Sequence, residues 1–344
     1  MVKGIQTVSG DSILEEISGR ADRLLIPLTV LLEPTRRCNL GCRHCYRIED
    51  AKRTEMSTQR IENLLDELRQ AGCLFLTISG GEPLLHPDFL QICRKAHSLN
   101  MALNIFTNGL LISESLADRL SQLNILGVHL SVYGATPETH DAITGQKGSY
   151  DKTINAALIL KQNNISVRFK YIIINANFLE YREMLRVSEQ LRIPYDIDPV
   201  ITPKDDGDAT PTKYALSDEE LETIYKDMSP SLTGAKPSDA CSSGRSYCAI
   251  NSYGDLYPCI QLPAPAGNII SNSFIDIWNN SEWLNEIRHL CSYDKEPCRE
   301  CNLKPYCRQC PGLNYLENNT LYGISRETCR HSRAIKKAVA GLSI

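Results

Sequence analysis

The sequence predicts an α/β fold in which a parallel sheet is followed by a small cysteine-rich module. Strand-like and helix-like segments alternate through residues 26–200, and nine of the fourteen cysteines lie between Cys241 and Cys329. Alternation of this kind implies right-handed crossovers, parallel strands and chemistry at the carboxyl ends of the strands. We place the strands at residues 27–33, 73–79, 101–106, 127–133, 166–174 and 195–200.

Residues 58–71 and 113–123 have the periodicity of amphipathic helices between these strands. In the first of them, Leu64, Leu65 and Leu68 mark one apolar face. A short helix is expected over residues 217–227, inside a connector rich in Pro, Asp, Gly and Ser. The boundaries we expect are 1–25 for an N-terminal extension, 26–205 for the sheet domain, 206–240 for the connector, 241–335 for the cysteine-rich module and 336–344 for a tail.

Composition argues against several classes of protein. The chain has 344 residues, a net charge of -4 and a pI of about 6.0, whereas a nucleic-acid partner usually requires a basic face. It has no run of 18 apolar residues, and its N-terminus lacks the apolar core of a signal peptide, so we expect no membrane partner and a cytoplasmic protein. Fourteen cysteines in a reducing compartment favour metal ligation over disulfides.

Three cysteines directly follow the first strand. Cys38, Cys42 and Cys45 have the spacing C-x3-C-x2-C, and three thiolates on one loop are a ligand set for iron that leaves one iron of a cluster open. A substrate or a cofactor can bind such an open iron. The alternatives are a zinc site or buried thiols. Zinc sites usually present two Cys or Cys/His pairs, and this loop has a single C-x2-C pair.

A glycine-rich motif, Ser79-Gly80-Gly81-Glu82-Pro83, follows the second strand. Gly80 and Gly81 allow the backbone to approach a ligand closely. Glu82 can accept a hydrogen bond from an ammonium group, and Pro83 stiffens the exit from the motif. Alone, the motif also reads as an ordinary turn. Its place one strand after the cysteine loop favours a shared site, which neither a zinc site nor buried thiols would explain.

Together, the cysteine loop and the glycine-rich motif resemble the radical S-adenosylmethionine (SAM) superfamily. The resemblance implies a partial (β/α)6 TIM-type barrel and a [4Fe–4S] cluster on Cys38, Cys42 and Cys45, whose open iron chelates SAM. It implies that Ser79–Pro83 hold the SAM amino group. It also places His44, Asn108 and Ser131 on the cofactor. For Asn108 a turn residue, and for Ser131 a strand hydroxyl bonded to backbone, stay open as alternatives.

The sequence departs from this family after the fourth strand. Many relatives carry an arginine after a His-Asp pair there, whereas this chain reads His140-Asp141-Ala142. The SAM carboxylate then needs a partner from elsewhere. Arg168 and Lys170, on the fifth strand, are our candidates, with a surface-facing basic residue as the alternative for both.

The cysteines of the C-terminal module resemble the SPASM extension of radical SAM enzymes, which carries two auxiliary iron–sulfur clusters. The family pattern C-x2-C-x5-C-x3-C is met, except that the last gap here has two residues. The resemblance implies that one cluster, expected to be [4Fe–4S], is held by Cys241, Cys248, Cys259 and Cys310. It implies that the other is held by Cys298, Cys301, Cys307 and Cys329.

Three cysteines are left over by these assignments. Cys73 and Cys93 are expected in the core, on a strand and a helix, and Cys291 is a spare that could replace a ligand. A pair of zinc ribbons is the alternative for the module as a whole.

Family chemistry implies an electron from a flavodoxin or ferredoxin, cleavage of SAM to methionine and a 5′-deoxyadenosyl radical, and removal of hydrogen from an unactivated carbon. The preferred substrate is a ribosomally made peptide or a protein side chain. A separate peptide-recognition protein is an optional partner, since the first 25 residues are too short for a recognition domain. Catalytic acid or base candidates are Tyr133, Asp196 and Asp198. The two aspartates share one side of a strand, and solvated carboxylates are the alternative for them.

Two other functions stay open at this point. One is a small-molecule radical SAM enzyme that acts on a tetrapyrrole side chain or an antibiotic sugar. The other is a non-catalytic iron–sulfur or zinc protein, which would neither bind SAM nor release deoxyadenosine.

Overall fold

The computed structural model describes residues 10–48, 50, 52–232, 241–290 and 296–340. Residues 233–240 of the expected connector and Cys291 lie outside the described residues. The strands are β1 (Thr29–Leu32), β2 (Phe75–Ile78), β3 (Ala102–Thr107), β4 (Ile125–Val132), β5 (Val167–Ile172), β6 (Tyr195–Asp198), β7 (Tyr247–Ile250), β8 (Asp255–Tyr257) and β9 (Gly267–Asn268). The α-helices are α1 (Gly10–Leu24), α2 (Thr58–Gln70), α3 (Phe89–Ser98), α4 (Glu114–Ser121), α5 (Pro137–Thr144), α6 (Ser149–Gln162), α7 (Tyr181–Leu191), α8 (Asp218–Leu232), α9 (Phe274–Asn280), α10 (Glu282–Arg288), α11 (Glu296–Arg299), α12 (Pro311–Asn318) and α13 (Arg326–Ala340).

All of these strands form one sheet, in the order β6-β5-β4-β3-β2-β1-β7-β8-β9. Strands β1 to β6 are parallel neighbours, which confirms the strand pattern expected from the sequence. The sequence did not predict that β7 continues this sheet. It lies parallel to β1, in register from Thr29 opposite Tyr247 to Leu32 opposite Ile250. The C-terminal module is therefore joined to the barrel by backbone hydrogen bonds.

Helices cover the outer face of the sheet, as the apolar stripe of α2 illustrates. Leu64, Leu65 and Leu68 are all 0% exposed and belong to the core that also contains Val30 of β1. Burial of each such leucine stabilises the fold by about 1.5–3 kcal/mol. The helix begins at Ser57, whose side chain accepts a hydrogen bond from the backbone N–H of Arg60.

The extension before the barrel contains a helix, α1, that was not predicted. Its end is fastened to the C-terminal module. The Trp278 indole N–H donates to the carbonyl oxygen of Leu25 at 2.7 Å, and the Ser242 hydroxyl donates to Asp22 at 3.1 Å. The N-terminal extension is thus joined to the C-terminal module by side-chain hydrogen bonds.

The connector contains α8, close to where the sequence placed it, and α8 packs along α13. Tyr225 of α8 and His331 of α13 are buried, and their hydroxyl and Nδ1 atoms are 2.6 Å apart. In the part of the chain that the structure describes, no helix has the length and apolar composition needed to cross a membrane.

Candidate active site

A cavity of about 540 Å³ opens at the carboxyl ends of the barrel strands. The cysteine loop forms one wall, and Ser79, Phe106, Ser131 and Asp198 line it from β2, β3, β4 and β6. A segment of the C-terminal module, residues 260–263, contributes the opposite wall. The carboxyl ends of parallel strands meet at one edge of a sheet, which is why residues distant in the chain converge here.

The cysteine loop, residues 38–45, is anchored on the end of α5. Gly41 N donates to the carbonyl oxygen of Thr144 at 2.9 Å, and Arg43 N donates to that of Ile143 at 3.1 Å. Cys38, Cys42 and Cys45 all line the cavity. Burial, together with the thiols of Cys45 and Cys38, raises the pKa of Cys42 to about 12. A bound cation is therefore needed to hold these thiols as thiolates.

The two glycines of the Ser79–Pro83 motif are required by the backbone that leads into the cysteine loop. Gly80 has a φ of +119°, and a Cβ there would lie 2.5 Å from the carbonyl oxygen of Thr35. A Cβ on Gly81 would lie 1.8 Å from the carbonyl oxygen of Arg37. Gly81 N also donates to Thr35 O at 2.9 Å. We predicted that these glycines let the backbone approach a ligand closely. In the structure they let it approach the backbone of Thr35 and Arg37 closely.

The Glu82 side chain is not among the described residues that line the cavity, and its contact with an ammonium group stays a prediction. The side chain is 0% exposed. It accepts hydrogen bonds from the Thr107 hydroxyl at 2.6 Å, from Asn108 N at 2.8 Å and from Leu84 N at 3.1 Å. Burial raises the pKa of Glu82, and these hydrogen bonds oppose the rise. Glu82 therefore holds the motif against the end of β3, and Pro83 is buried beside it.

Asn108 lines the cavity and ties the end of β3 to the cysteine loop. Its side-chain amide donates to the Asn39 side chain at 2.7 Å, and its own oxygen accepts from Leu110 N at 3.0 Å. Asn39, which lies between Cys38 and Cys42, was missed by the sequence analysis. An amide inside a cysteine loop is the signal that could have found it, since loop amides commonly bond neighbouring backbone or side chains.

Tyr133 packs against the cysteine loop. Its ring meets that of His44 edge-on, with centroids 4.7 Å apart, and stacks on His140 at 5.6 Å. The phenol hydrogen-bonds to Cys42, which lowers the pKa of that thiol, and to Ser131. Burial raises the pKa of Tyr133 well above its ordinary value. The phenol therefore stays protonated at neutral pH and acts as a donor, and its role as a catalytic acid or base stays a prediction.

His44 lies in the wall of the cavity as a neutral ring. Burial lowers its pKa to about 4. Its Nδ1 is buried and has no hydrogen-bond partner among the described residues. The ring is therefore able to pack on, or bond to, a planar group placed in the cavity.

Lys170 and Arg168 both hold Asp196. Lys170 Nζ lies 2.6 Å from Asp196 Oδ2, and Arg168 Nη1 lies 3.0 Å from Asp196 Oδ1. Burial tends to raise the pKa of Asp196, but the hydrogen bond and charge of Lys170 lower it. Lys170 lines the cavity, whereas Arg168 is not among the lining residues of the described chain. A carboxylate kept ionised by two cations is a weak base, so Asp196 is not suited to accept a proton.

Asp198 is the carboxylate of β6 that forms no close ion pair among the described residues, although the charge of Lys170 acts on it from a greater distance. It lines the cavity beside Asp196, as the two-residue period of a strand predicts. The carboxylate is open to solvent and accepts a hydrogen bond from Val200 N at 2.9 Å. Protein atoms deeper in the cavity partly desolvate it, and this raises its pKa. Asp198 therefore fits a general base better than Asp196 does.

Arg47 is a cavity residue that the sequence analysis did not single out. Its Nη2 donates to the carbonyl oxygen of Arg36 at 3.4 Å. Its Nη1 is buried without a hydrogen-bond partner in the ranges that the structure covers. A guanidinium with a free donor is suited to a carboxylate ligand. A basic residue two positions after Cys45 is the sequence signal that could have indicated it.

The C-terminal module brings one predicted ligand set together. Cys298, Cys301, Cys307 and Cys329 all line one small pocket beneath α13. Burial raises the pKa of Cys307 and of Cys329, and the neighbouring cysteines of the set add to the rise. The proximity of four thiols agrees with the pairing that the family resemblance implied.

The other predicted set is only partly assembled. Cys241, Cys259 and Cys310 come together, whereas Cys248 is a fully buried residue of β7 in the core of the barrel. Burial raises the pKa of Cys248, and its ionisable neighbours are Cys73 and Arg288. The four-cysteine set that includes Cys248 therefore stays a prediction.

The donor groups fit a cluster better than a single ion. Among the described residues, no three Cys, His, Asp or Glu side chains are close enough to hold one metal ion. A [4Fe–4S] cluster is wider and takes one thiolate at each corner. The three thiols of the cysteine loop fit three such corners. The Nη1 group of Arg47, which has no hydrogen-bond partner among the described residues, fits a cofactor that also carries a carboxylate.

Two family models match the chain. Residues 32–188 match the radical SAM superfamily, and residues 241–311 match SPASM, an iron–sulfur cluster-binding domain. These matches confirm the predicted barrel with its SPASM domain, the SAM cofactor and the iron–sulfur clusters.

The chain is also similar to proteins of known activity. It is 25% identical to AdoMet-dependent heme synthase of Methanosarcina barkeri, over 84% of this chain and 92% of that protein. It is 28% identical to mycofactocin maturase MftC of Mycobacterium tuberculosis, over 82% of this chain and 77% of that protein. Its fold is similar to that of Streptococcus suis SuiB bound to precursor peptide SuiA, with a TM-score of 0.71, 16% identity, and coverage of 95% of this chain and 82% of that one.

Proposed function

The chain is a radical SAM enzyme with a C-terminal SPASM domain, and from that premise we propose that it modifies a ribosomally made peptide or a protein side chain. The observation that carries the proposal is the cavity of about 540 Å³, which is walled by both the barrel and residues 260–263 of the C-terminal module. A peptide can extend out of such a cavity while one side chain reaches its floor. The likeness to the maturase MftC and to the fold of SuiB adds support.

We propose that Cys38, Cys42 and Cys45 hold the [4Fe–4S] cluster. Gly80 and Gly81 present backbone to the SAM methionine, and Arg47 binds its carboxylate. When bound, the cluster and SAM supply an organic radical that removes a hydrogen atom from a substrate carbon. The barrel orients the substrate and keeps water from the reacting atoms.

In this proposal Asp198 accepts the proton that the substrate releases. It is the cavity carboxylate of β6 whose pKa is raised, because desolvation outweighs the opposing charge of Lys170 and no close ion pair holds it among the described residues. Tyr133 is a positioning residue. Its phenol donates to Cys42, and its ring fixes the orientation of His44. Lys170 and Asp196 form an ion pair in the cavity wall that a polar group of the substrate can contact.

We further propose a reducing, cytoplasmic setting, because all the cysteines that the structure describes are free thiols. A flavodoxin or ferredoxin would deliver the electron. A separate peptide-recognition protein would present the substrate. The net charge of -4 gives no support to a nucleic-acid partner.

The proposal is tested by anaerobic reconstitution with short peptides encoded beside the gene. Liquid chromatography and mass spectrometry would follow deoxyadenosine and the mass of each peptide. We expect one peptide to change mass in step with deoxyadenosine release. The variant with Cys38, Cys42 and Cys45 all changed to Ala is the control and should give neither product. Deoxyadenosine release without any change in a peptide would contradict a peptide substrate.

A second candidate is a tetrapyrrole substrate. It is favoured by the match to AdoMet-dependent heme synthase, which spans 92% of that protein. The same assay with a tetrapyrrole that carries carboxylate side chains distinguishes the two. Conversion of the tetrapyrrole, with every peptide unchanged, would select this second function.

A further inference from the structure

Glu33 is a buried carboxylate beside the glycine-rich motif, since its Cβ is only 3.2 Å from where a Cβ on Gly80 would lie. Its backbone N–H donates to the carbonyl oxygen of Ile250 at 2.9 Å and so continues the pairing of β1 with β7. The side chain is 1% exposed, and neither carboxylate oxygen accepts a hydrogen bond from the described residues. Buried polar atoms are almost always hydrogen-bonded. The charge of this carboxylate must therefore be compensated by the charges around it.

Two guanidinium groups supply that compensation. Arg36 Nε lies 3.3 Å from Glu33 Oε2 in an ion pair, and Arg36 Nη1 lies 2.6 Å from Asp205 Oδ2. The positive charge of Arg47, just after the cysteine loop, also acts on Glu33. Arg47 Nη1 is buried and has no hydrogen-bond partner among the described residues. These two carboxylates and two guanidinium groups form one cluster of charges, the Glu33 cluster, in which positive and negative charges balance.

Burial acts against the ionised form of Glu33. Desolvation raises the pKa of Glu33 and outweighs the two guanidinium groups, whose charges lower it. Tyr46 and Tyr247 also lie close enough to interact with its charge, but burial raises the pKa of both phenols, so they stay neutral at ordinary pH. The protonation state of Glu33 is therefore decided by the balance of the charges in its cluster.

SAM would bring a third carboxylate to this cluster, because the proposed function places the SAM carboxylate on Arg47. Three carboxylates facing two guanidinium groups would leave one buried negative charge without compensation, which is costly. When like charges share a site, one of the groups takes up a proton more readily. The SAM carboxylate would be held ionised by Arg47 and by the open iron. Glu33, which has no hydrogen-bond donor of its own, is then the carboxylate that can accept the proton.

We propose that Glu33 is a positioning residue for SAM, which takes up a proton when the SAM carboxylate binds Arg47 and releases it when SAM leaves. The proton comes from the solvent, and no bond of SAM is made or broken. Protonated Glu33 no longer competes for Arg47, and the buried charges stay balanced. The inference rests on the proposed function, which assigns the SAM carboxylate to Arg47. It adds that SAM binding depends on pH through a residue that does not itself contact SAM.

The experiment is calorimetric titration of the anaerobically reconstituted full chain with SAM, without any peptide, in buffers that differ in ionisation enthalpy. These titrations count the protons exchanged on binding. Across about pH 6 to about pH 9, the wild type should at its maximum take up about one proton more than Glu33→Gln. The SAM amino group exchanges protons in both proteins alike, so the difference isolates Glu33. Equal proton counts throughout this range would overturn the proposal.

The SAM dissociation constants give a second readout. Because binding takes up a proton, SAM affinity of the wild type should weaken, relative to that of Glu33→Gln, as the pH rises through the range in which Glu33 ionises. The ratio of the two constants should change by up to about tenfold per pH unit there. Glu33→Asp retains a carboxyl group and should retain the pH dependence. A ratio that stays constant with pH would overturn the proposal.

Glu55→Gln is the matched control. The Glu55 carboxylate accepts hydrogen bonds from the Thr35 hydroxyl at 2.9 Å and from Arg36 N at 2.6 Å, so it holds the same stretch of backbone from outside the Glu33 cluster. Iron content is measured for each variant, and only fully loaded proteins are compared. Glu55→Gln should exchange as many protons as the wild type. If its proton count falls as much as that of Glu33→Gln, the effect comes from a loosened loop and the proposal is wrong.

Arg47→Gln keeps the proposal testable if Glu33→Gln does not fold. Loss of a charge-assisted bond should weaken SAM binding by about tenfold or more. The proton count should also fall to the level expected for Glu33→Gln, because the SAM carboxylate no longer enters the Glu33 cluster. Unchanged SAM affinity would contradict the placement of the carboxylate in the proposed function. Weaker binding with an undiminished proton count would overturn the role of Glu33 alone.

Discussion

The Thr107 hydroxyl donates a 2.6 Å hydrogen bond to the buried carboxylate of Glu82. The bond joins the glycine-rich motif after β2 to the turn after β3. Asn108 extends the connection to Asn39 in the cysteine loop at 2.7 Å. Three loops that are separated in the sequence are therefore linked by side-chain hydrogen bonds at the mouth of the barrel. The geometry of the cofactor site depends on these links as much as on the cysteines themselves.

Glu82→Gln should destabilise the protein. The glutamine amide must place an N–H₂ group against at least one of the three donors that the carboxylate satisfies. An unsatisfied buried donor costs about 1–3 kcal/mol. We expect the free energy of unfolding, measured with urea, to fall by that amount. Glu189→Gln, at an exposed position of α7, is the matched control and should change it by less than about 0.5 kcal/mol. An equal effect of both changes would show that the network around Glu82 adds no stability.

The same carboxylate should make stability depend on pH. Burial raises the pKa of Glu82 above its ordinary value of 4.5, so the folded state holds the proton more tightly than the unfolded chain does. Its contribution is fully present below pH 4.5 and declines as the pH rises through the raised pKa. As the pH rises from 4.5 through the raised pKa of Glu82, the urea midpoint of the wild type should therefore fall relative to that of Glu82→Gln. Parallel pH profiles for the two proteins would contradict the raised pKa.

Gly81→Ala should disrupt the cysteine loop without touching a cysteine. The added Cβ would lie 1.8 Å from the carbonyl oxygen of Arg37, so the backbone before Cys38 must move. We expect loss of about four irons and at least tenfold weaker SAM binding by calorimetry, because the cluster and SAM share this loop. Gly19→Ala, in α1, is the control, since its Cβ would have its nearest contact at 3.5 Å. Normal iron and SAM binding in Gly81→Ala would mean that the loop tolerates the shift.

Local patterns were enough to predict Cys38, Cys42, Cys45 and the two glycines, because their spacing is set within one turn of chain. The role of Glu82 could not be predicted in the same way, because it depends on Thr107 in another strand. The burial of Cys248 in the core could not be predicted for a related reason. Which face of a strand is buried depends on register, and the partner of β7 is β1, which the sequence does not indicate.

Asp198→Asn should separate proton transfer from cofactor binding. General base catalysis contributes about 10²–10⁴-fold to rate, so peptide turnover should fall by at least 10²-fold while SAM binding stays unchanged. Partial desolvation raises the pKa of Asp198, so wild-type turnover should rise with pH through a value above 3.8 as the carboxylate ionises. Asp196→Asn is the neighbouring control. It should affect turnover less, since Lys170 and Arg168 already hold Asp196. Equal losses in the two variants would remove Asp198 from this role.

The last prediction concerns the cluster of Cys298, Cys301, Cys307 and Cys329. Cys329 lies in the first turn of α13, and its thiol is half-buried beside the other three. Cys329→Ser changes the size of the side chain little and replaces the sulfur with an oxygen, which is a weaker ligand. Helix α13 should therefore still pack on α8. Thermal unfolding of this variant should therefore stay within a few degrees of the wild type.

If this cluster accepts the electron that the substrate loses, Cys329→Ser should lower product formation more than it lowers SAM cleavage. SAM cleavage persists because Cys38, Cys42 and Cys45 are intact, whereas the oxidised product needs an electron acceptor. The measurement is the ratio of modified peptide to deoxyadenosine in folded, soluble protein, and we expect it to fall at least tenfold. A ratio equal to that of the wild type would assign this cluster a structural role, because metal binding in such a module also contributes to its folding. The chemistry would then be confined to the barrel.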